Sequence, residues 1–290
     1  MLSLFLNHID LETVRNNKIS ILGCGWLGLP LAKSLVDNGY DIKGSTTTQD
    51  KCQKLVEDGV TPYLIKLNER FVEGEIKDFL KESELLIINI PPGLRNNPKK
   101  NHVSEIKQLI HHVENSTIKY VLYISSTSVF KDEVEFPLIT QITLPNTTSN
   151  SAKQLIDIES LLKTSTKFES TILRFSGLIG KDRHPGKILS GRKNILNGKA
   201  PINLIHRDDC ISIISKLIKK HLWGATFNAS NPYRHTREDY YTNYCKEHHL
   251  VLPEFDQENV SKGKLSPQEK TDIKLKFYNS LTKFSIELNP

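Results

Sequence analysis

The sequence predicts an α/β fold in which helices cover both faces of a doubly wound parallel sheet. Two observations carry this prediction. From residue 18 onward, apolar runs typical of strands alternate with amphipathic helical stretches, which is the pattern of a parallel sheet. The runs at 85–90 and 121–124 are almost continuously apolar, as expected for central strands that are buried on both faces.

The predicted elements follow one another in a regular order. Short apolar or β-branched runs bounded by turn residues place strands at 18–22, 41–45, 62–66, 85–90, 120–125, 170–175 and 226–229. Apolar residues spaced three or four apart place helices at 26–38, 49–58, 72–81, 101–114, 151–163 and 207–221. In the first of these helices the repeat is Leu27, Leu31 and Leu35.

A glycine-rich turn joins the first strand to the first helix. Gly23, Gly25 and Gly28 fall in the order G-x-G-x-x-G, with Trp26 and Leu27 between the last two. The three glycines suit a tight turn, the close approach of a pyrophosphate, and tight packing of the helix on the strand. The exposed N–H groups at the start of the helix would bind that pyrophosphate. These five residues therefore predict a dinucleotide site of the Rossmann type.

The end of the second strand indicates which dinucleotide binds. NAD-binding chains place an Asp or Glu about 20 residues after the glycines, where it meets the ribose 2′-hydroxyl. Here that position is Thr46, and Ser45 and Thr47 flank it. Hydroxyls can donate hydrogen bonds to a 2′-phosphate, and Lys51 adds a positive charge. We therefore expect NADP, with NAD as the alternative; the same hydroxyls could instead cap the following helix.

A proline-rich turn, I-P-P-G, follows the fourth strand at residues 90–93. Proline ends strand pairing, because it has no backbone N–H to donate. The turn comes from the carboxyl end of a central strand, the edge at which open parallel sheets bind ligands. We therefore predict that Pro91 forms a rigid wall of the cofactor site.

The alternation of strands and helices weakens after Leu178. The segment that follows is rich in Gly, Pro, Arg and Lys, and the chain ends in a mixture of helical and polar stretches. We predict that residues 18–180 and 203–230 form a dinucleotide-binding Rossmann domain. Residues 181–202 and 231–290 are predicted to form a smaller substrate-side lobe. A lobe over the carboxyl ends of the strands would shape a substrate pocket.

Composition narrows the choice of partners. Hydrophobic residues make up 38% and charged residues 25% of the chain, which is ordinary for a soluble globular protein. The net charge of +6 is scattered, without a stripe of Arg and aromatic residues that would suit nucleic acid. No apolar run approaches the roughly 20 residues that a membrane helix needs. We expect a small-molecule substrate, no nucleic acid, no membrane, and a monomer or homodimer.

Cysteine usage and the N-terminus indicate the compartment. The four cysteines lie far apart and form no C-x-x-C pair, which argues against a metal site and a disulfide framework and fits a reducing cytoplasm. The apolar start of the chain lacks a basic region, and Asp10 and Glu12 follow at once, so it is a poor signal peptide. The sequence thus predicts a cytoplasmic protein without a metal.

Five motifs in order resemble one superfamily. They are G-C-G-W-L-G (23–28), Y-I-S-S-T-S-V-F (123–130), I-L-R-F-S-G-L-I-G (172–180), N-L-I-H-R-D-D (203–209) and F-N-A-S (227–230). From 18 to about 229 the chain resembles the extended, NAD-dependent epimerase/dehydratase-like branch of the short-chain dehydrogenases/reductases. It is most similar to the atypical members that carry G-x-G-W-L-G. The resemblance implies an NAD(P)-dependent oxidoreductase or epimerase-like activity on a small polar, sugar-like substrate.

The resemblance also implies catalytic positions. In this superfamily the strand that ends in S-S-x-x-V carries a catalytic Ser or Thr three residues before the Val, which is Ser126 here. Its hydroxyl would donate a hydrogen bond to a substrate carbonyl and stabilise charge that develops on the oxygen. The alternative is that this Ser only satisfies backbone groups at the end of the strand.

The chain departs from the superfamily at the proton-transfer residue. The usual motif is Y-x-x-x-K, but four residues before Lys153 stands Ser149, and no Tyr occurs between Tyr123 and Tyr233. Lys153 is implied to keep its role of holding the cofactor ribose. Ser149 or His184 would replace the Tyr, because a histidine with its ordinary pKa of about 6.5 can exchange protons near neutral pH. An anionic group of the substrate would meet one of three arginines, Arg174, Arg183 and Arg192.

Two functions remain open at this stage. The first is an NADP(H)-binding oxidoreductase or epimerase-like enzyme. The second is a non-catalytic sensor of the dinucleotide that acts on a partner through 181–203 and 231–290. The missing Tyr is the feature that keeps the second function in consideration.

Overall fold

A seven-stranded parallel sheet forms the centre of the computed structural model, which describes residues 17–140, 142–232 and 235–266. The strands are β1 (Lys18–Leu22), β2 (Asp41–Thr46), β3 (Thr61–Leu64), β4 (Lys66–Leu67), β5 (Val72–Glu73), β6 (Leu85–Ile88), β7 (Tyr120–Ser126), β8 (Glu169–Phe175), β9 (Gly177–Ile179), β10 (Leu204–His206) and β11 (Thr226–Ala229). The order across the sheet is β11-β8-β7-β6-β1-β2-β3. This order confirms the predicted doubly wound fold.

Helices cover both faces of the sheet. They are α1 (Gly28–Asp37), α2 (Asp50–Glu57), α3 (Ile76–Leu80), α4 (His102–Glu114), α5 (Asn150–Thr164), α6 (Pro185–Leu189), α7 (Arg207–Lys219) and α8 (Arg237–Glu247), with a short 3-10 helix at Thr127–Val129. Apolar residues of α1, α2 and α7 share one core with one face of the sheet. Those of α3, α4 and α5 form a second core on the opposite face.

The strand order reverses next to β1, and this fixes where a ligand can bind. Ile19 of β1 lies opposite Ile42 of β2 on one side and opposite Leu85 of β6 on the other. Connections from β1 and β6 therefore leave in opposite directions, and they open a crevice at the carboxyl ends of these two strands. The glycine-rich turn follows β1, and the proline-rich turn follows β6.

The predicted helix at 72–81 is too long. The structure has a strand, β5, followed by the short helix α3, and β5 pairs with β4 in an antiparallel ribbon. Gly74 lies between them with a φ of +101°, a left-handed conformation that interrupts a right-handed helix. A Cβ at this position would lie 1.9 Å from the carbonyl oxygen of Leu64, so the turn also excludes a side chain.

Parts of the predicted substrate-side lobe share a small core with β9 and β10, which the sequence places in the Rossmann domain. Parallel strands β9 and β10 lie beside helices α6 and α8, and five buried residues fill the space between these elements, namely Ile179, Ile202, Leu204, Tyr241 and Phe255. Residues 267–290, which belong to the predicted lobe, lie outside the described residues. So do residues 1–16, the N-terminal segment that the sequence predicts to be a poor signal peptide. In the part of the chain that is described, every helix is too short or too polar to cross a bilayer.

Candidate functional site

Residues at the ends of β2 and β6, the two strands on either side of β1, hold the glycine-rich turn. The N–H of Gly23 donates to the Oγ of Ser45 over 2.9 Å, and the N–H of Cys24 donates to the Ser45 carbonyl over 2.8 Å. From the other side, the Asn89 amide donates to the Gly23 carbonyl over 3.1 Å. The turn is therefore fixed between β2 and β6 before any ligand arrives.

The three glycines of the turn have different surroundings. At Gly23, φ is +101° and a Cβ would lie 2.7 Å from the Asn89 carbonyl oxygen; at Gly28 a Cβ would lie 2.1 Å from the Gly23 carbonyl oxygen. Both positions are closed by the protein itself. At Gly25, by contrast, a Cβ would have no atom within 4 Å. The space beside Gly25 is open and leaves room for a ligand to approach the backbone.

The start of α1 suits an anion. Its N-cap residue, Leu27, offers no side-chain hydrogen bond, and its first turn has no acidic residue. Helices α4, α5 and α8, in contrast, are capped by Asn101, Ser149 and Thr236. Within α1 the Leu29 N–H donates to the Gly25 carbonyl over 3.0 Å, and Pro30 has no N–H. The N–H groups available to a negatively charged group such as a pyrophosphate are therefore those of Gly28 and of the turn before it. Burial raises the pKa of the neighbouring Cys24 thiol to about 12, so this group adds no negative charge.

The four residues predicted to bind a 2′-phosphate at the end of β2 fall into a buried pair and an exposed pair. Ser45 is buried and its oxygen accepts the Gly23 N–H, so its role is to hold the turn rather than a phosphate. Thr46 is also buried, and its hydroxyl accepts a hydrogen bond from the Thr48 N–H. Thr47 and Lys51 are exposed. Only these two side chains are placed where a bound phosphate could reach them.

The two predicted catalytic serines both lie at the carboxyl edge of the sheet. The Ser126 oxygen caps the 3-10 helix by accepting the Ser128 N–H, and the Ser149 oxygen caps α5 by accepting the Ala152 N–H. Helix α5 packs on the 3-10 helix, which brings these two segments together. Lys153 lies in the first turn of α5 and is exposed. Each hydroxyl keeps its proton for donation, because only its oxygen is used in capping.

The proline-rich turn lies against the glycine-rich turn. Ile90 Cγ2 is 2.7 Å from the position that a Cβ of Gly23 would take, so the two turns are in close contact. Pro91 follows at once and is exposed. This position fits the predicted wall.

His184 is built into the small core instead of facing the crevice. Its Nδ1 accepts the Gly186 N–H at the start of α6, and its Nε2 lies 3.0 Å from the Tyr240 hydroxyl. Its ring stacks on Tyr244 at a centroid distance of 3.6 Å. Burial, with smaller contributions from His248 and Lys187, lowers the pKa of His184 to about 4. The predicted proton shuttle rested on an ordinary pKa, and His184 instead has a structural role.

The displaced pKa predicts how stability depends on pH. In the unfolded chain His184 binds a proton below about pH 6.5. In the folded protein it binds one only below about pH 4, so between these two pH values protonation favours the unfolded chain. The free energy of unfolding should therefore fall by about 1–3 kcal/mol across this range. His184→Asn, whose amide oxygen can still cap α6, should flatten the fall in urea titrations at several pH values, whereas the exposed His249→Asn should not. An unchanged slope in His184→Asn would contradict the assignment.

The arginines proposed for an anionic substrate group lie in different environments. Arg174 is buried, and its Nε donates to the Glu159 carboxylate over 3.0 Å, so it does not reach a substrate. Arg183 lies over the ring of Trp26, and Arg192 is exposed. The assignment of Arg174 was therefore wrong, because a lone Arg on a strand gave no sign of its partner on α5.

Sequence reasoning also missed Asn89. This residue ends the run L-L-I-I-N, where a polar residue follows a fully buried strand beside the crevice. A polar residue in that position could have indicated a site residue. Its amide donates to the Gly23 carbonyl and so helps to hold the glycine-rich turn, which makes Asn89 part of the site.

The fold and this turn define a Rossmann-type α/β protein, and comparison with known proteins agrees. The family model of the NAD binding domain of 6-phosphogluconate dehydrogenase matches residues 18–137. Protein YeeZ of Escherichia coli K12 is 30% identical over 250 residues, which cover 86% of this chain and 90% of YeeZ. The chain belongs to the same family as YeeZ.

Solved structures of low sequence identity share the fold. The UDP-N-acetylglucosamine 4-epimerase of Methanobrevibacter ruminantium M1, in complex with UDP-N-acetylmuramic acid, has a TM-score of 0.74 at 16% identity, with 92% of this chain and 94% of that chain covered. The UDP-glucuronic acid 4-epimerase of Bacillus cereus, in complex with NAD, has a TM-score of 0.71 at 15% identity, with 90% and 92% covered.

Proposed function

We propose that the chain is an NAD(P)(H)-dependent oxidoreductase or epimerase-like enzyme that acts on a small polar substrate. The observation that carries this proposal is the open, uncapped glycine-rich turn at the point where the strand order reverses. A bound dinucleotide supplies hydride transfer at its nicotinamide. The match of residues 18–137 to an NAD binding domain supports the same ligand.

The residues of the chain would act as binding and orienting groups. The backbone N–H groups of the glycine-rich turn and of Gly28 bind the pyrophosphate, and Lys153 holds the ribose hydroxyls. Ser126 donates its hydroxyl proton to a substrate carbonyl, with Ser149 as the second hydroxyl at the same edge. Tyr123, on the same strand as Ser126, does not replace the missing phenol: it is fully buried, and burial raises its pKa.

A sugar-like substrate is the finer part of the proposal. Both epimerases with the same fold act by name on UDP sugars. This is an argument from fold and not from the site, since one fold supports many substrates. The small core around α6 and α8 is the part of the chain that we propose as the substrate side.

The alternative function is a dinucleotide sensor without turnover, and the absence of a Tyr at position 149 favours it. Two assays separate the two functions. NADPH consumption is followed with carbonyl compounds, and UDP sugars are incubated with NAD⁺ or NADP⁺ and analysed for epimers, because epimerisation leaves no net change in the dinucleotide. An enzyme converts at least one compound in one of these two assays, and Ser126→Ala lowers that rate by about 10²–10³-fold. A protein that binds the dinucleotide and turns over no compound is a sensor.

NADPH should bind more tightly than NADH, because hydroxyl residues stand at the end of β2 where an acid is expected, and Thr47 and Lys51 are exposed. The exposed Asp50 lies in the first turn of α2 and not at the end of β2. Thr47→Asp should weaken NADPH binding by about tenfold or more, since a carboxylate repels the 2′-phosphate. Thr46 is the poorer test position, because an Asp there would be buried. Calorimetry measures both affinities, and Thr47→Val is the uncharged control. Equal affinities for the two dinucleotides in the wild type would contradict this preference.

A further inference from the structure

The side chain of Trp26 connects the glycine-rich turn to a distant part of the chain. Its indole Nε1 donates to both carboxylate oxygens of Asp182, over 3.1 and 3.0 Å. The guanidinium groups of Arg183 and Arg207 lie over the indole ring, 5.1 and 4.9 Å from its centroid. We name these four residues the Trp26 cluster. The hydrogen bond with Trp26, then one from the backbone N–H of Asp182 itself, and the charges of Arg207 and Arg183 lower the pKa of Asp182, so the carboxylate stays charged.

The contacts continue from this cluster into the proposed substrate side. His184 comes directly after Arg183, caps α6, and stacks on Tyr244 of α8. An unbroken series of contacts therefore runs from the glycine-rich turn, through residues 182–184, to α8. A cofactor bound on the turn and a substrate bound on the α6 side would be joined by it.

The guanidinium of Arg207 is only weakly engaged by carboxylates. Its Nη1 lies 3.5 Å from Asp182 and its Nε 4.0 Å from Asp208, so both ion pairs are long. The Arg207 Nε is buried without a hydrogen-bond partner. Exposed ion pairs and exposed cation–π contacts are individually weak. The cluster is thus held loosely enough for an added negative charge to change its stability.

We propose that Trp26 is a positioning residue that couples dinucleotide binding to the ordering of residues 180–189. A pyrophosphate at the start of α1 adds negative charge beside the two arginines and tightens the cluster. The cluster in turn holds α6 and its His184 cap in place. The coupling deepens the proposed function, and it rests on that function only for the identity of the ligand.

Tryptophan fluorescence and hydrogen exchange test this coupling. The chain has two tryptophans, and Trp223 stacks on Tyr120 at the opposite end of the sheet. In Trp223→Phe, emission of Trp26 should therefore change on titration with NADP⁺, with the dissociation constant that calorimetry gives. In the wild type, NADP⁺ should slow hydrogen exchange in peptides that cover 177–189.

Trp26→Phe keeps an aromatic ring but cannot donate to Asp182, and Trp223→Phe is its matched control. Trp26→Phe should speed exchange at 177–189 without ligand and weaken NADP⁺ binding by about fivefold. The loss in Trp26→Phe/Asp182→Leu should be smaller than the sum of the two single losses, because the two residues share one contact. Asp182 also accepts from Arg207 Nη1 over 3.5 Å, so the double variant should still bind somewhat more weakly than Trp26→Phe. Absence of dinucleotide binding by the wild type would refute the proposed function. Normal binding with unchanged exchange at 177–189 in Trp26→Phe would refute the coupling alone.

Discussion

Replacing Gly25 by Asp should abolish dinucleotide binding while leaving the protein folded. The Cβ of the new residue would meet no atom within 4 Å, and the φ of Gly25 lies outside the left-handed region. The carboxylate would stand beside the N–H groups of the turn and of Gly28, in the place proposed for the pyrophosphate. Calorimetry with NADP⁺ should show a loss of at least about 100-fold in affinity, close to 3 kcal/mol.

The free energy of unfolding shows whether Gly25→Asp loses affinity through its new charge or through damage to the turn. An acid at a helix N-terminus adds about 0.3–1 kcal/mol of stability, so Gly25→Asp should unfold no earlier than the wild type. Gly28→Ala is the contrasting variant, because its Cβ would lie 2.1 Å from the Gly23 carbonyl oxygen and should destabilise the fold. If Gly25→Asp kept wild-type affinity, the pyrophosphate would have to bind elsewhere and the assigned site would be wrong.

Replacing Arg174 by Met should cause the largest loss of stability. Arg174 and Glu159 are both buried, and the Ser125 hydroxyl donates to the same carboxylate over 2.6 Å. Removing the guanidinium leaves a buried carboxylate without its countercharge, which costs about 3–5 kcal/mol. Glu159 of α5 is held by Arg174 of β8 and by Ser125 of β7, so these contacts join the helix to both strands. Ser149 caps α5 and Ser126 ends β7. Thermal unfolding should show a Tm about 10 °C lower.

Two further variants make the test specific. Arg192→Met removes an exposed arginine from the same chain and should change the Tm little. The double variant Glu159→Leu/Arg174→Met removes both charges and should be more stable than Arg174→Met, because no buried charge remains unpaired. If Arg174→Met were as stable as Arg192→Met, the pair would contribute nothing to the attachment of α5.

The fold was predictable because its signals are local. The apolar runs of β6 and β7 and the repeat of leucines in α1 each specify an element within a few residues. The helix predicted at 72–81 was wrong because its periodicity was read through Gly74, whose left-handed φ interrupts it. A glycine within a short amphipathic stretch leaves both outcomes open until its neighbours in space are known.

The candidate site was only partly predictable, because most of its contacts join residues far apart in sequence. The motif located Gly25 and the free end of α1. It could not show that Ser45 holds the turn 22 residues away, or that Asp182 binds Trp26 across 156 residues. Neither could it show the burial that lowers the pKa of His184. Such properties depend on packing and not on residue type.

A crystal structure of the protein saturated with NADP⁺ tests the central claim most directly, since the claim is a location. We predict pyrophosphate oxygens about 3 Å from the backbone N–H groups of the glycine-rich turn and of Gly28, over the open face of Gly25. The 2′-phosphate should lie beside Thr47 and Lys51. A dinucleotide bound with its pyrophosphate away from this helix end would contradict the account.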